Sequence, residues 1–224
     1  METEKIRSLL CKTYSIKEDL ERLKKIEKAR NFCTYLEQND IKYDICIKHK
    51  EVLGCDESSL YYQRFEDYLC DDYSICKHLL VRERKGEKRT FLIVTDSSKQ
   101  VDLSSIREEL DCKKLEFVKE DDMKELINTT PGNVSIFNMI YDHDKKVNLV
   151  FDEDLLSRES LAFHPLYNGM SLFLKPKECL KYVGLINRDI SIFKVPEKTT
   201  SKVCLLYTSP SPRDRTRSRM PSSA

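Results

Sequence analysis

A chain of 224 residues with a formal net charge of +1 fits one ordinary domain plus an appendage. Its nine cysteines contain no C-x-x-C pair and follow no signal peptide, which predicts reduced thiols in the cytosol rather than a disulfide scaffold. The apolar runs are far too short to cross a bilayer as a helix.

The amino-terminal segment reads as helix. Ile6, Leu9 and Leu10 form a short apolar stripe that ends near Thr13-Tyr14, and Ser15-x-x-Glu18 has the form of a capping box. Ile16, Leu20, Leu23 and Ile26 then follow at helical spacing, a pattern that runs through Phe32 and Leu36 until Asn39-Asp40. A charged amphipathic helix of this kind is expected to lie as a solvated lid on its own domain, with docking to a partner as the alternative. Tyr43 to Ile47 alternates as a strand. Lys48-His49-Lys50 opens a region ending in a helix predicted over Glu57 to Leu69, whose Tyr61, Tyr62, Phe65 and Tyr68 are expected to pack as core and rim.

Leu79 to Arg82 and Thr90 to Thr95 read as antiparallel strands across a turn at Lys85-Gly86, with the basic run Arg82 to Arg89 as a solvated tip. Val101 to Leu103 is expected as a short strand, Ser105-x-x-Glu108 as the cap of the next helix, and Glu120 to Asn128 as another helix. Two unusual loops follow. The first is Thr130-Pro131-Gly132-Asn133-Val134-Ser135-Ile136-Phe137, and the second is Ala162-Phe163-His164-Pro165-Leu166-Tyr167-Asn168. Between them, Ile140-Tyr141 and Val147 to Phe151 predict a hairpin around the polar Asp142 to Lys146, and Asn168-Gly169 is a strong signal for a tight hairpin turn. Lys177 to Val183 looks helical after Pro176, and Ile190 to Val195 is expected to close the sheet. Strands and helices mix without a regular βαβ beat, which argues for an α+β fold rather than a doubly wound sheet.

Residues 204–224 change character abruptly and resemble a translated sequencing adaptor, so they are expected to be an assembly scar rather than native structure. This tail holds four Arg and one Asp, so the remainder of the chain carries a small net negative charge. The basic tail is therefore not read as a nucleic-acid arm.

The chemistry resides in the two loops. A Pro-Gly step exposes backbone N–H groups and permits close approach to a ligand, and a His-Pro step fixes the chain after an imidazole. Free amides near a histidine suit hydrolysis of an ester, because they can receive a developing oxyanion. Four histidines and scattered cysteines lack zinc spacing, and there is no Gly-x-Gly-x-x-Gly and no P-loop, so no metal and no cofactor are expected. The carboxylates Asp121-Asp122 and Asp142 to Asp144 are expected to be solvated.

Together with Cys76-Lys77-His78-Leu79-Leu80-Val81-Arg82, these loops resemble the YbaK/ProX-type aminoacyl-tRNA editing domain. The resemblance spans residues 30–196, leaving 1–29 as a helical extension. It implies a mixed, barrel-like β-sheet flanked by helices, with a variable helix over the pocket. It also implies a cytoplasmic deacylase that hydrolyses the ester of mischarged tRNA(Pro), Ala-tRNA(Pro) above all, with no metal, cofactor, DNA or membrane required. Prolyl-tRNA synthetase is the implied partner, because one missing methylene is worth only about 1–3 kcal/mol and a second hydrolytic sieve must remove the alanine error.

By the same resemblance Lys77 anchors the terminal nucleotide or carbonyl at the head of an apolar strand, the Gly132 loop places the water, and His164 orients the ester. Substrate contacts are expected at His78, Ser135, Ile136 and Asn168. Two positions depart from the family. His78 stands where Asn is common, and Ile136 stands where the loop commonly has Pro, a loss expected to loosen the loop. A degenerate module that binds tRNA or a synthetase, even the amino-terminal domain of a prolyl-tRNA synthetase, is the alternative.

Overall fold

The computed structural model describes residues 2–52 and 55–198, with side chains from 19–52 and 57–198; the tail at 204–224 lies outside the described residues. In chain order the elements are α1 (Glu2–Gln38), β1 (Ile45–Lys48), α2 (Cys55–Tyr62), a 3-10 turn (Gln63–Tyr68), β2 (Tyr73–Glu83), β3 (Thr90–Asp96), α3 (Leu103–Glu109), β4 (Leu115–Phe117), α4 (Glu120–Ile127), a 3-10 segment (Ile136–Tyr141), β5 (Val147–Asp152), a second 3-10 turn (Glu153–Ser157), β6 (Ser160–Phe163), β7 (Met170–Leu174), α5 (Pro176–Leu185) and β8 (Ile190–Phe193). No helix among the described residues is long and apolar enough to cross a membrane.

Helix α1 is continuous through Thr13-Tyr14 and through the expected boundary at residues 29–30, so Ser15 lies inside a helix rather than capping one. Its last turns belong to the core: Ala29, Phe32, Cys33 and Leu36 follow at helical spacing and are buried. The helix stops where Asp40 takes a left-handed φ of 57° and the Ile41 N–H returns to the Leu36 carbonyl.

The sheet is mixed, in the order β1-β7-β6-β2-β3-β5-β8, with β4 added to β2. β2 and β3 form the expected antiparallel hairpin, with Gly86 at φ 93° in its tip. β3 is central and buried on both faces. Leu92 and Val94 meet the main core with α1 and α5, whereas Phe91 and Ile93 meet Val81, Val150 and Ile106 of α3 on the other side. A third, smaller cluster of Ile47, Tyr62, Ala162 and Phe173 lies under α2.

Several local expectations give way to tertiary pairing. Ile140-Tyr141 is 3-10 helix rather than strand, and β5 pairs in parallel with β3 and β8, so there is no hairpin between them. The turn is closed by Asp142, whose carboxylate accepts the Lys146 and Val147 N–H groups at 2.9 and 2.8 Å and pairs with Arg188. Asp142 is thus buried, not solvated. Asp102 rather than Ser105 caps α3, accepting the Ser104 N–H at 2.9 Å, and Val101 makes only an isolated bridge to Glu197. The helix predicted over 57–69 changes to 3-10 geometry after Tyr62. In the basic run, Arg82 pairs with Asp122 and Arg89 with the buried Glu83, leaving residues 84–88 exposed.

Phe137 lies at the centre of the main core, with no exposed surface. Its ring packs 5.0 Å from Phe32, 5.1 Å from Tyr182 and 5.6 Å from Phe163, and its carbonyl accepts the Tyr182 hydroxyl. Phe137→Ala should cost about 3–5 kcal/mol of stability, read from urea denaturation midpoints. A loss under ~1 kcal/mol would mean that this ring does not join the two helices to the sheet.

Candidate functional site

The site begins with a gap in hydrogen bonding. β3 takes one edge of β2, and the other edge is shared by β6 at Tyr73–Ile75 and β4 at Val81–Glu83. The Val118 N–H reaches the Leu80 carbonyl at 3.0 Å, so Leu80 also points outward. Between these contacts no strand among the described residues covers residues 76–79. Outward-pointing backbone groups recur every second residue, which places the N–H and C=O of Cys76 and His78 on this open stretch.

A cleft of about 270 Å³ fills the gap. Cys76 to Leu80 form its back, Pro131, Gly132 and Val134 one wall, and His164, Val52, Phe117 and Met123 the remainder. Gly132 has φ 82°, a conformation that suits glycine, and it is exposed. The N–H groups of Gly132 and Val134 donate to no other group among the described residues, whereas Asn133 N–H returns to the Thr130 carbonyl. The loop therefore presents two free donors at the cleft wall.

Lys77 and His78 are adjacent, so they project to opposite faces of β2. Lys77 sits inside an eleven-residue strand rather than at its head. Its ammonium donates to the Ser97 carbonyl at 3.1 Å and to the Lys99 carbonyl. The turn bearing these carbonyls is held by a buried pair: the Lys99 ammonium lies 2.8 Å from Asp152 and 2.6 Å from Asp154, and Asp152 also accepts from Thr95 and the Val195 N–H.

His78 turns to the main core, its ring 5.6 Å from Phe163. Its Nε2 and the Nδ1 of His164 are buried and have no hydrogen-bond partner. Burial, with His164 nearby, pushes the His78 pKa down to about 3, and burial, with a smaller effect from His49, lowers that of His164 to about 4. Both imidazoles are neutral near pH 7, line the cleft, and each keeps one buried nitrogen with unused hydrogen-bonding capacity.

The loops around them are clasped together. Asn168 N–H donates to the Asn133 side-chain carbonyl at 3.0 Å, and Asn168 Nδ2 donates to the Val52 carbonyl at 2.8 Å. Asn168 is 2% exposed and serves this clasp rather than a two-residue turn, because residues 164–169 all lie in the connection between β6 and β7. The Tyr167 ring folds over Gly169 so closely that a Cβ there would meet it at 2.5 Å.

Ser135 and Ile136 have no exposed surface and do not line the cleft. Ser135 caps the 3-10 segment in a capping box with Asn138, and Ile136 enters the main core. The missing proline therefore does not leave the loop loose, because the capping box and the buried isoleucine fix its exit. Cleft residues thus include Lys77, His78, Gly132 and His164 from the sequence reading, but not Ser135 or Ile136.

Sequence reasoning missed three groups. Asn133 stands in the quoted loop, but nothing local marks it as the clasp. Lys99 and Asp152 lie far apart in the chain, and no sequence pattern brings them together. His49 completes a buried relay: its Nδ1–H donates to the Lys50 carbonyl at 2.6 Å, so its neutral Nε2 accepts from Ser171 Oγ at 2.9 Å, which in turn accepts from the Tyr62 hydroxyl at 2.7 Å. The expected pocket-covering helix α2 reaches this relay through Tyr62, and none of its described side chains, 57–62, lines the cleft. Among the described residues no three His, Cys, Asp or Glu side chains gather as a metal would require.

The aminoacyl-tRNA editing domain profile matches residues 63–182, which takes in β2, both loops and most of α5. The chain belongs to the aminoacyl-tRNA editing domain family. It is 33% identical over 112 residues to the prolyl-tRNA editing protein ProX of Acetoanaerobium sticklandii, a match covering 50% of this chain and 67% of that one. In fold it is similar to a candidate trans-editing enzyme for prolyl tRNA synthetase, with a TM-score of 0.55 at 17% identity over 76% of this chain and 97% of the other. A hypothetical protein of known crystal structure gives a TM-score of 0.56 at 15% identity, covering 72% and 96% of the two chains.

Neutral buried imidazoles have a stability consequence. An unfolded histidine, with a pKa near ~6.5, takes up a proton that the folded one refuses, so stability is full above pH ~6.5 and is lost as pH falls toward the folded values. Between pH 6 and 5 each of the two histidines should contribute a loss approaching ~1.4 kcal/mol per pH unit. Urea midpoints at pH 7, 6 and 5 should therefore fall less steeply for His78→Asn than for the unmodified chain. Equal slopes would show that His78 takes up its proton as readily in the folded protein as in the unfolded chain.

Proposed function

We propose that this protein is an aminoacyl-tRNA deacylase that hydrolyses the ester of mischarged tRNA(Pro), Ala-tRNA(Pro) foremost. The observation that carries this reading is the convergence at the β2 gap of two loop amides free among the described residues and two neutral imidazoles, each with one unpaired ring nitrogen, in a chain of the editing-domain family. An aminoacyl ester needs a positioned water, a place for the developing oxyanion and a grip on its terminal nucleotide. In this reading the Gly132 and Val134 N–H groups receive the oxyanion, since donors held in place beforehand need no reorganisation during the reaction.

His164 and His78 orient the ester and the water as neutral hydrogen-bonding groups. With pKa values of about 4 and 3 they are weak bases, so they act by placing groups rather than by taking a proton at neutral pH. The substrate's own 2′-hydroxyl is then the group best placed to assist the water. Lys77 lines the back of the cleft while the 97–99 turn holds its ammonium, and in this reading it anchors the terminal phosphate or carbonyl from there. The cleft is small, as a second sieve that admits alanine and excludes proline requires. The tRNA(Pro) substrate is supported by the likeness to a prolyl-tRNA editing protein. Prolyl-tRNA synthetase is the natural source of that substrate, and residues 30–196 form the editing unit.

Residues 1–202 should release alanine from labelled Ala-tRNA(Pro) faster than amino acids from Cys-, Ser- or Pro-tRNA(Pro). Lys77→Ala should abolish release, and Gly132→Ala, forced into a left-handed conformation, should slow it roughly 100-fold. No release from any of the four with tRNA binding intact would replace the enzyme with a binding module. The rate should also show no inflection near pH 6.5 between pH 6 and 8. A single-proton inflection there, lost in His164→Gln, would make His164 a general base instead.

A further inference from the structure

Ser160 stands at the start of β6, and His164 lies just past its end. Around Ser160 is a second cavity of about 690 Å³ that shares no lining residue with the cleft. Its floor is apolar, built from Ile45, Leu69 and Phe173, with Tyr68 at the rim and 73% exposed. A volume of this size is in the range of small-molecule and cofactor sites.

Two independent features mark this cavity as a site rather than a dent. Ser160 is 4% exposed, and its Oγ is buried without a hydrogen-bond partner. Alternation along β6 puts its side chain on the face of Ala162, which packs with Phe173 of the cavity floor, so the hydroxyl lies on the cavity's side of the sheet. A buried hydroxyl is costly to leave unpaired, and a ligand oxygen would satisfy it.

The second feature is the N-terminus of the ten-residue helix α5. Its cap, Lys175, makes no side-chain capping bond, Pro176 occupies the first turn, and the Lys177 N–H donates to nothing among the described residues. The ammonium groups of Lys175 and Lys177 form no ion pair among the described residues and stand at the same mouth. Free N–H groups, the positive end of a helix and two lysines favour a phosphate. The cavity also carries two carboxylates, Asp44 and Glu159, which a simple anion would avoid. A ribose needs such an acceptor for its hydroxyls. An exposed tyrosine at the rim offers a face on which a base can stack.

We propose that this cavity binds a nucleotide, with its phosphate at the N-terminus of α5 against Lys175, Lys177 and Ser160, its ribose on Asp44 or Glu159, and its base on Tyr68. The site lies outside the cleft and does not depend on the deacylase reading. A free mononucleotide and a nucleotide within a tRNA chain present the same chemistry, so the experiment separates them.

The full chain is titrated calorimetrically with adenosine 5′-monophosphate and, by filter binding at several salt concentrations, with uncharged tRNA(Pro). The variants are Lys175→Glu/Lys177→Glu, Tyr68→Ala and Ser160→Ala, with Lys77→Ala as the cleft control and thermal melts to confirm folding. The double variant should weaken binding about tenfold or more and Tyr68→Ala should weaken it severalfold, and the same losses should appear in a Lys77→Ala background, where the cleft's own grip on a nucleotide is removed. Weakened mononucleotide binding identifies a free nucleotide as ligand. An effect on tRNA alone, with a shallower salt dependence, identifies a nucleotide of the tRNA. If the double variant melts like the unmodified chain yet binds both probes equally well, the proposal is overturned. It is overturned too if Lys77→Ala abolishes mononucleotide binding, which would move the nucleotide into the cleft. Neither readout requires hydrolysis, so failure of the deacylase reading would leave this result interpretable.

Discussion

The cleft exists because two strands of opposite direction share one edge of β2. β6 runs parallel to β2 and β4 runs antiparallel, so they cannot be joined into one continuous neighbour. A stretch between them must stay uncovered, and it falls at residues 76–79. An uncovered strand edge normally invites pairing with another chain. Here the Pro131–Val134 loop and His164 close around it, converting an edge into a recess. The two histidines follow from the same constraint, because the residue with its backbone outward at the gap, His78, sends its side chain into the core beside Phe163.

Burial then decides what these imidazoles can do. A histidine at its ordinary pKa would be partly charged near neutrality and would repel a second one. Two neutral rings can sit together at the wall of a recess, at the cost of leaving one buried nitrogen of each unpaired. Lys77 is placed differently. Strand alternation removes it to the opposite face, where backbone carbonyls from the 97–99 turn receive its ammonium, and the Lys99–Asp152 pair fixes that turn. Its position is therefore set by groups on β3 and β5 as much as by β2 itself.

Features carried by neighbouring residues were legible in the sequence. The β2–β3 hairpin, α4 with its left-handed Asn128 cap, α5 behind Pro176 and the left-handed Gly132 all follow from spacing and turn chemistry. Features set by distant partners were not. Val147 to Phe151 has the same composition whether it pairs in a hairpin or in parallel, and two parallel neighbours, β3 and β8, took its ladder. Asn168-Gly169 has the local signature of a tight turn, but Val52 and Asn133 claim the asparagine from elsewhere in the chain. Ser135 and Ile136 stand among site residues in sequence yet face the core in space, since one 3-10 turn is enough to rotate a loop's last residues inward.

That rotation also bears on the departure at Ile136. A proline stiffens a loop by restricting its own backbone, largely through the unfolded state. In this chain the same segment is held by contacts in the folded state. The Ser135–Asn138 capping box fixes its exit, the isoleucine is sealed in the core, and Asn133 is tied through Asn168 to Val52 on the opposite side of the cleft. Rigidity at Gly132 therefore depends on the folding of the whole core instead of on one residue. A donor pair that must be fixed before an oxyanion forms can be supplied by either route. The route used here couples the cleft's geometry directly to the packing of Phe137 and its neighbours, which lie immediately beyond Ile136.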